Sequence, residues 1–334
     1  MKDLTGKKVL FIGPSFFGYE DDIKNELIVQ GAEVDYFDER PFTSSIGKIL
    51  IRLGIKLLIK KAINEYYNNI IEQAKIVKYD YFFVISPETI SNEIVEKIKA
   101  TNPNMKSIIY MWDAIGNKNN ANKLINSNSF DCCYSFDRNE VGLFPNLQFL
   151  PLFFSENFDV NYINEQLRKY SIIFIGTVHS DRYTLVNKII NQVDGNLLPF
   201  YSFFYCPSKL LFLFRKIQSK EFGNISLRDV SFSSLDKTSI RKLICESDII
   251  LDIEHPSQTG LTMRTIEALG LRKKLITTNE DIKYYDFYSS NNVCVIDRNK
   301  PVISKSFLNS MYIPPSEDII NKYSLREWIR TIFS

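Results

Sequence analysis

Apolar positions along this chain gather into short runs separated by amphipathic stretches. Residues 8–13 (KVLFIG) form one continuous run, the pattern of a parallel strand buried on both faces. The stretch 19–30 predicts a helix closed by Gly31, and a strand follows over 33–37. Further strand-like runs occupy 81–85, 107–111, 131–135 and 147–150, with helical stretches between most of them. Strands alternating with helices predict an α/β protein with an open, mostly parallel sheet. At residue 171 the pattern restarts. SIIFIG (171–176) repeats the opening strand and glycine, 181–193 reads as its helix, and strands are expected at 196–204, 226–232, 248–253, 274–277 and 292–296. The chain therefore predicts two Rossmann-like domains with a cleft between them. The first covers 1–152, a connection runs over 153–170, and the second covers 171–315. The segment 316–334, with Trp328, would be a helix packing back across both. In such sheets ligands bind beyond the carboxyl ends of the strands.

A length of 334 residues exceeds the usual size of one core, in line with two domains. Hydrophobic residues make up 45% of the chain, which is globular composition and excludes disorder. The net charge of +2 argues neither for nor against nucleic acid, and no nucleic-acid partner is expected. Five cysteines, an odd count, show no CxxC or Cys/His ligand spacing. Cys132 and Cys133 lie in a strand-like run and read as small buried apolar residues, and a reducing cytoplasm fits best. The first residues lead straight into a strand without a signal-peptide apolar core, and no apolar run approaches bilayer length. A soluble or peripheral protein is expected.

The most specific stretch is HPSQTGLTMRTIEALG at 255–270, set between the strand-like runs SDIILDI and KLITT. It reads as strand, glycine-containing loop, short helix, strand. A helix opening at Gly260, Leu261 and Thr262 presents unpaired N–H groups and a positive dipole end, a ready phosphate site that Gly260 lets a ligand approach. Arg264 adds a forked cation. Glu267 can accept from a pair of sugar hydroxyls. Anion donors followed by a hydroxyl acceptor suit a nucleoside diphosphate and its ribose. An ordinary βαβ crossover with a surface glutamate reads equally well from spacing alone.

At the matching place in the second domain, Gly176, Thr177, His179, Ser180, Asp181 and Arg182 form a strand–glycine turn with hydroxyl and cationic side chains. Arg182 could neutralise a leaving nucleotide, or be an exposed residue in a helix capped by Ser180 or Asp181. The chain's two histidines, His179 and His255, both fall on expected cleft loops, where they would contact donor phosphate or sugar. GPSFFG at 13–18 is not G-x-G-x-x-G, because Pro14 and the aromatics block the approach a dinucleotide needs. A dehydrogenase is therefore not expected. Asp252-Ile253-Glu254 is not a D-x-D metal motif.

The 255–270 stretch resembles the donor-binding element in the C-terminal half of GT-B glycosyltransferases. Together with KKLITTN and Tyr285-Asp286-Phe287-Tyr288 it resembles, more narrowly, bacterial proteins of lipopolysaccharide and capsule biosynthesis. The resemblance is specific over 248–288. It implies the GT-B architecture and transfer of a sugar from a nucleotide-sugar donor to a glycan or lipid-linked glycan acceptor. Glu267 would hold the ribose. Gln258, Thr259, Gly260, Leu261, Thr262 and Arg264 would hold the donor, with Gly176, Thr177, His179 and Arg182. The position eight residues before Glu267, a glutamate in retaining enzymes with an E-x7-E signature, is Thr259 here, so their sugar contact and stereochemistry do not carry over.

Asp113 and His255 are the candidate catalytic residues. Asp113 ends a first-domain strand and could take the acceptor hydroxyl proton, with Asp137 and Glu88 as alternatives. No metal and no cofactor is expected, the phosphates being met by a helix terminus and arginines. In residues 46–64, Lys48, Arg52, Lys56 and Lys60 are spaced by four and would form one cationic stripe. That stripe would lie against an anionic inner-membrane surface or would be a solvated edge of a core-packed helix. Residues 207–220 (PSKLLFLFRKIQSK) are a second basic-aromatic segment. The expected location is the cytoplasm, peripheral on the cytoplasmic membrane face. A sugar-nucleotide epimerase and a non-catalytic scaffold of a polysaccharide assembly complex stand as the rivals.

Overall fold

The computed structural model describes residues 4–40, 60–162, 167–192, 199–218, 220–256 and 258–334. Residues 46–59 of the basic stripe, with Lys48, Arg52 and Lys56, lie outside them. The chain divides into two units, residues 1–151 with 325–334 and residues 152–324.

The first unit is a six-stranded parallel sheet in the order β2-β1-β3-β4-β5-β6. The strands are β1 (Lys8–Gly13), β2 (Glu33–Asp38), β3 (Tyr81–Ile85), β4 (Lys106–Met111), β5 (Cys132–Ser135) and β6 (Leu147–Phe149). Helices α1 (Tyr19–Val29), α2 (Lys60–Val77), α3 (Asn92–Lys99), α4 (Asn119–Asn126) and α5 (Arg138–Val141) connect them. Gly31, at φ 95°, ends the α1 region in a backbone conformation that suits glycine. Alternation along the central strands explains their unbroken hydrophobicity. Leu10, Ile12, Phe82, Val84 and Ile109 pack with Tyr67, Ile70, Ile94 and Leu124 of the helices. Phe11, Phe83 and Tyr110 belong to the opposite set.

The second unit is a five-stranded parallel sheet in the order β8-β7-β9-β10-β11. Its strands are β7 (Tyr170–Thr177), β8 (Tyr201–Tyr205), β9 (Ser247–Asp252), β10 (Lys274–Thr277) and β11 (Val293–Val295). Its helices are α6 (Arg182–Ile190), α7 (Lys209–Gln218), α8 (Lys220–Gly223), α9 (Lys237–Cys245), α10 (Met263–Gly270), α11 (Lys305–Asn309) and α12 (Glu317–Lys322). The last helix, α13 (Leu325–Ile332), belongs to the first unit. There Trp328 meets Tyr110 edge-on at 4.8 Å, and Phe333, just past the helix, meets Phe83 at 5.4 Å.

Three expectations differ from what is observed. The strand expected at 226–232 is reduced to a single parallel bridge from Ser231 to Tyr205. Ser226 and Asp229 close a capping box around a 3-10 turn (Leu227–Asp229), and this local pairing wins over the β pattern. The segment after residue 152 is not a bare connection. Phe153, Phe154 and Phe158 are buried, and a Cβ on Gly270 at the end of α10 would run into the Phe158 carbonyl oxygen. Only glycine lets these backbones approach. The expected single helix over 316–333 breaks at Tyr323 and Ser324, where the chain passes from one unit to the other.

Candidate functional site

In the second sheet the order reverses between β7 and β9, so the loops leaving those strands flank the crevice where an open α/β sheet takes its ligand. The described residues of these loops are 178–181, 253–256 and 258–262, which contain parts of the sequence motifs.

The start of α10 is fixed from below. Thr262 is the N-cap, its Oγ1 accepting from the Thr265 N–H at 3.3 Å. That Oγ1 donates to Asp252 Oδ2 at 2.5 Å, and Thr265 Oγ1 donates to the same oxygen at 2.8 Å. Asp252, at the end of β9, thus holds the helix terminus. Asn279 Nδ2 donates to the carbonyls of Thr259 (2.9 Å) and Gly260 (3.3 Å), and Gln258 Nε2 to that of Gly260 (3.2 Å). The loop is therefore braced with its carbonyls tied back, the arrangement that leaves a helix's first N–H groups facing outward. The Leu261 side chain is in the core and has only its backbone to offer a ligand.

Two residues depart from the sequence expectation. Glu267 does not sit on an accessible helix face, because it is fully buried and paired with Arg264 Nη1. Arg264 is itself mostly buried and its Nε has no partner. The reason is that every residue of α10 from Thr265 to Gly270 is buried, so the helix has no solvent side there. A ligand reaching Glu267 or Arg264 would meet a preformed pair.

Beside the loop lies a charge cluster that motif reading missed in part. Arg298 forks onto Asp181 (Nε to Oδ2 2.9 Å, Nη2 to Oδ1 3.1 Å) and reaches Glu254 through Nη1 to Oε1 at 2.7 Å and Nη2 to the carbonyl at 2.7 Å. Burial raises the Glu254 carboxyl above its usual range, and Thr278 Oγ1 donates to it at 2.5 Å. Arg182 spends Nε on the Ile253 carbonyl (2.5 Å) and Nη1 on Thr177 (3.2 Å to O, 3.3 Å to Oγ1), tethering β7 to the exit of β9. Nη2 is the part of its fork left for an anion. Burial lowers its pKa to about 10. Gly176 accommodates it closely, since a Cβ there would stand 3.4 Å from Arg182 Nη1 and 2.9 Å from the Phe174 ring.

The two histidines lie side by side, with ring centroids 5.1 Å apart and planes tilted by 45°. Burial, with Arg182 next, pushes His179 down to about 3, and the same causes lower His255. Both stay neutral near pH 7, so each offers a phosphate or sugar one N–H rather than a charge. His179 Nδ1 pairs with Ser180 Oγ at 2.9 Å, and Ser180 itself sits at φ 45°, the left-handed region that a non-glycine residue rarely adopts.

In the first unit the turn after β1, residues 13–18, is closed by hydrogen bonds to an acidic residue of α1. The carboxylate of Glu20 occupies the loop's donors, accepting from Ser15 Oγ at 2.7 Å and the Phe16 N–H at 3.0 Å. Phe16 and Phe17 are 44% and 42% exposed, and the Phe16 ring lies 6.1 Å from Trp112. Asp113, beside that aromatic group, is half exposed with Lys118 Nζ at 3.4 Å. Lys118 also pairs with Glu88, and although burial opposes it, the carboxylates of Asp113 and Glu88 hold its pKa high. Asp137, an alternative base, has a structural role. It is buried and caps α5, accepting from the Asn139 N–H at 2.9 Å.

Glu39, which sequence reasoning did not single out, is fully buried at the end of β2. Its Oε1 accepts from the N–H groups of Glu88 (2.5 Å) and Thr89, and Oε2 has no partner. Burial raises its pKa from 4.5 to about 7. Because the folded chain keeps this proton above the unfolded pKa, the contribution to stability is complete below about 4.5 and is lost as pH rises through about 7. Glu39→Gln is therefore expected to gain stability relative to the parent as pH goes from about 5 to about 8 in urea unfolding. Parallel profiles for the two proteins would show that Glu39 does not carry this proton.

Among the described residues no group of three or more His, Cys, Asp or Glu could hold a metal, and no helix is long and apolar enough to cross a membrane.

Solved structures share this architecture along the whole chain. A lipopolysaccharide outer core galactosyltransferase, WaaB, matches at 13% identity and TM-score 0.52, covering 98% of this chain and 99% of its own. HepE of Anabaena in complex with UDP-glucose matches at 10% identity and TM-score 0.57, with 98% of each chain covered. A UDP-GlcNAc 2-epimerase of Methanocaldococcus jannaschii, in complex with UDP-GlcNAc and UDP, matches at 10% identity and TM-score 0.53, covering 98% and 99%. The chain has the GT-B fold. No protein-family profile and no curated protein sequence matches it.

Proposed function

We propose that the protein is a glycosyltransferase that moves a sugar from a nucleotide-sugar donor to a lipopolysaccharide or capsule glycan, without a metal. One observation carries the reading: the loops leaving β7 and β9 bring the braced start of α10 together with Arg182, His179 and His255 at the switch point of one sheet. The N–H groups that open α10 and Arg182 Nη2 would receive the diphosphate, and the pair Arg264–Glu267 would receive the ribose, Glu267 accepting from its hydroxyls. Gly176, Thr177, Gln258 and Thr259 would frame the donor. As the anomeric bond breaks, negative charge grows on the leaving diphosphate. Donors already aimed there stabilise it with no reorganisation, which supplies what a metal would otherwise supply. His255 would donate an N–H to that phosphate. Asp113 would accept the proton of the attacking hydroxyl, and the exposed rings of Phe16 and Phe17, with the half-buried Trp112, would offer apolar faces to a glycan. A protein of this kind would work in the cytoplasm, at the cytoplasmic face of the membrane that carries a lipid-linked acceptor.

The epimerase reading is favoured by one observation, the shared fold of the UDP-GlcNAc 2-epimerase. Product analysis separates the readings. Purified protein given UDP-, GDP-, dTDP- or CMP-sugars with a glycan acceptor in EDTA is expected to release nucleotide and extend the glycan. An epimerised donor with no nucleotide released would establish the rival. Loss of transfer in EDTA, restored by magnesium or manganese, would overturn the metal-free mechanism, and no turnover of any donor would leave a scaffold.

A further inference from the structure

Helix α7 turns an apolar stripe outward. Leu210, Leu213, Phe214 and Ile217 are 80%, 45%, 57% and 86% exposed. Their i, i+3, i+4, i+7 spacing puts them on one face, while Phe212 is fully buried against Phe222 and Phe232. Single exposed apolar side chains are ordinary, but four on one helical face make a contiguous patch. The charge around it is one-sided. Residues 207–220 hold Lys209, Arg215, Lys216 and Lys220 and no carboxylate, in a chain whose 41 cations are nearly matched by 39 carboxylates. Three of these cations are anchored beside the stripe. Lys209 stands 5.8 Å from the Phe232 ring centroid, Arg215 donates to the Val178 carbonyl at 3.2 Å, and Lys216 donates to the Ile225 carbonyl at 2.7 Å.

We propose that α7 is a membrane-docking helix, lying in the plane of an anionic bilayer surface with Leu210, Leu213, Phe214 and Ile217 in the interface. A bilayer with anionic headgroups supplies both an apolar layer for the stripe and negative charge for the rim. This is a different element from the basic stripe of residues 46–64. The bond from Arg215 to Val178 ties α7 to the loop of His179, so docking would hold the candidate donor site close to the lipid surface. The inference draws on the proposed function only for the idea of a lipid-linked acceptor, and vesicle binding and nucleotide binding are separate readouts.

Flotation with phosphatidylcholine vesicles, with and without phosphatidylglycerol, tests it. The parent protein is expected to float with the anionic vesicles and to release at high salt. Replacing all four stripe residues with Gln should lower the bound-to-free ratio at least about tenfold, since each large apolar side chain buried contributes that much. Leu210→Gln with Ile217→Gln, the two most exposed positions, guards against misfolding: binding should fall while the melting temperature and nucleotide affinity hold. A parent protein that stays in solution, or variants that float equally well, would overturn the proposal. So would a parent dimer in sedimentation that the variants lose without any vesicle binding, which would assign the stripe to a second copy of the chain. Vesicle binding without nucleotide binding would leave this inference standing and sink the proposed function instead.

Discussion

Arg298→Met should destabilise the second unit by about 3 kcal/mol, because removing one partner of a largely buried ion pair strands the other. Arg298 makes four close contacts to Asp181 and Glu254, and the Glu254 side chain is 8% exposed. Asp181 is 34% exposed and can return to water, which keeps the figure at the lower end of the range for buried pairs. Methionine fills much of the volume, so the loss reports charge rather than a cavity. Arg298→Lys should recover only part of it, since an ammonium cannot fork onto Asp181 and Glu254 together. The loop of His255 follows Glu254 directly, so donor affinity should fall as well. Urea unfolding reads the first effect and a nucleotide titration the second. A loss below about 1 kcal/mol, the range of an exposed pair, would mean that the cluster is a surface feature.

How much of this was legible in the sequence depends on the range of the interactions. The parallel strands were readable because burial on both faces leaves runs such as KVLFIG and SIIFIG with no polar position, and the restart at residue 171 marked the second sheet. Arg182 could be placed because it follows β7 by five residues, and Gly260 and Thr262 because they follow β9 within ten and open the next helix. Arg298 could not, since its carboxylate partners lie 117 and 44 residues away and no local spacing announces them. Glu39 was missed for a similar reason: its acceptor role is to backbone N–H groups about 50 residues along. The exposure of Glu267 was misjudged because the helix at 265–270 is buried all round, and periodicity assigns a charged residue to solvent unless a partner is known. The strand expected at 226–232 shrank to one bridge because the capping box from Ser226 to Asp229 is a four-residue signal inside the longer strand-like pattern.

Glu267→Gln should weaken nucleotide-sugar binding about tenfold to a hundredfold, the 1.5–3 kcal/mol of a hydrogen bond to a charged group. The amide keeps the shape of the buried side chain but removes the charge that pairs with Arg264, at a stability cost of about 3 kcal/mol that urea unfolding reads separately, together with the acceptor proposed for the ribose hydroxyls. The most direct test is a calorimetric titration of the parent protein and this variant with UDP, GDP, dTDP and CMP and their sugars, in EDTA. The account predicts that at least one nucleotide sugar binds the parent without metal and that Glu267→Gln binds it at least about tenfold more weakly. Binding of equal strength by both proteins, or no binding by the parent to any of these ligands, would contradict it.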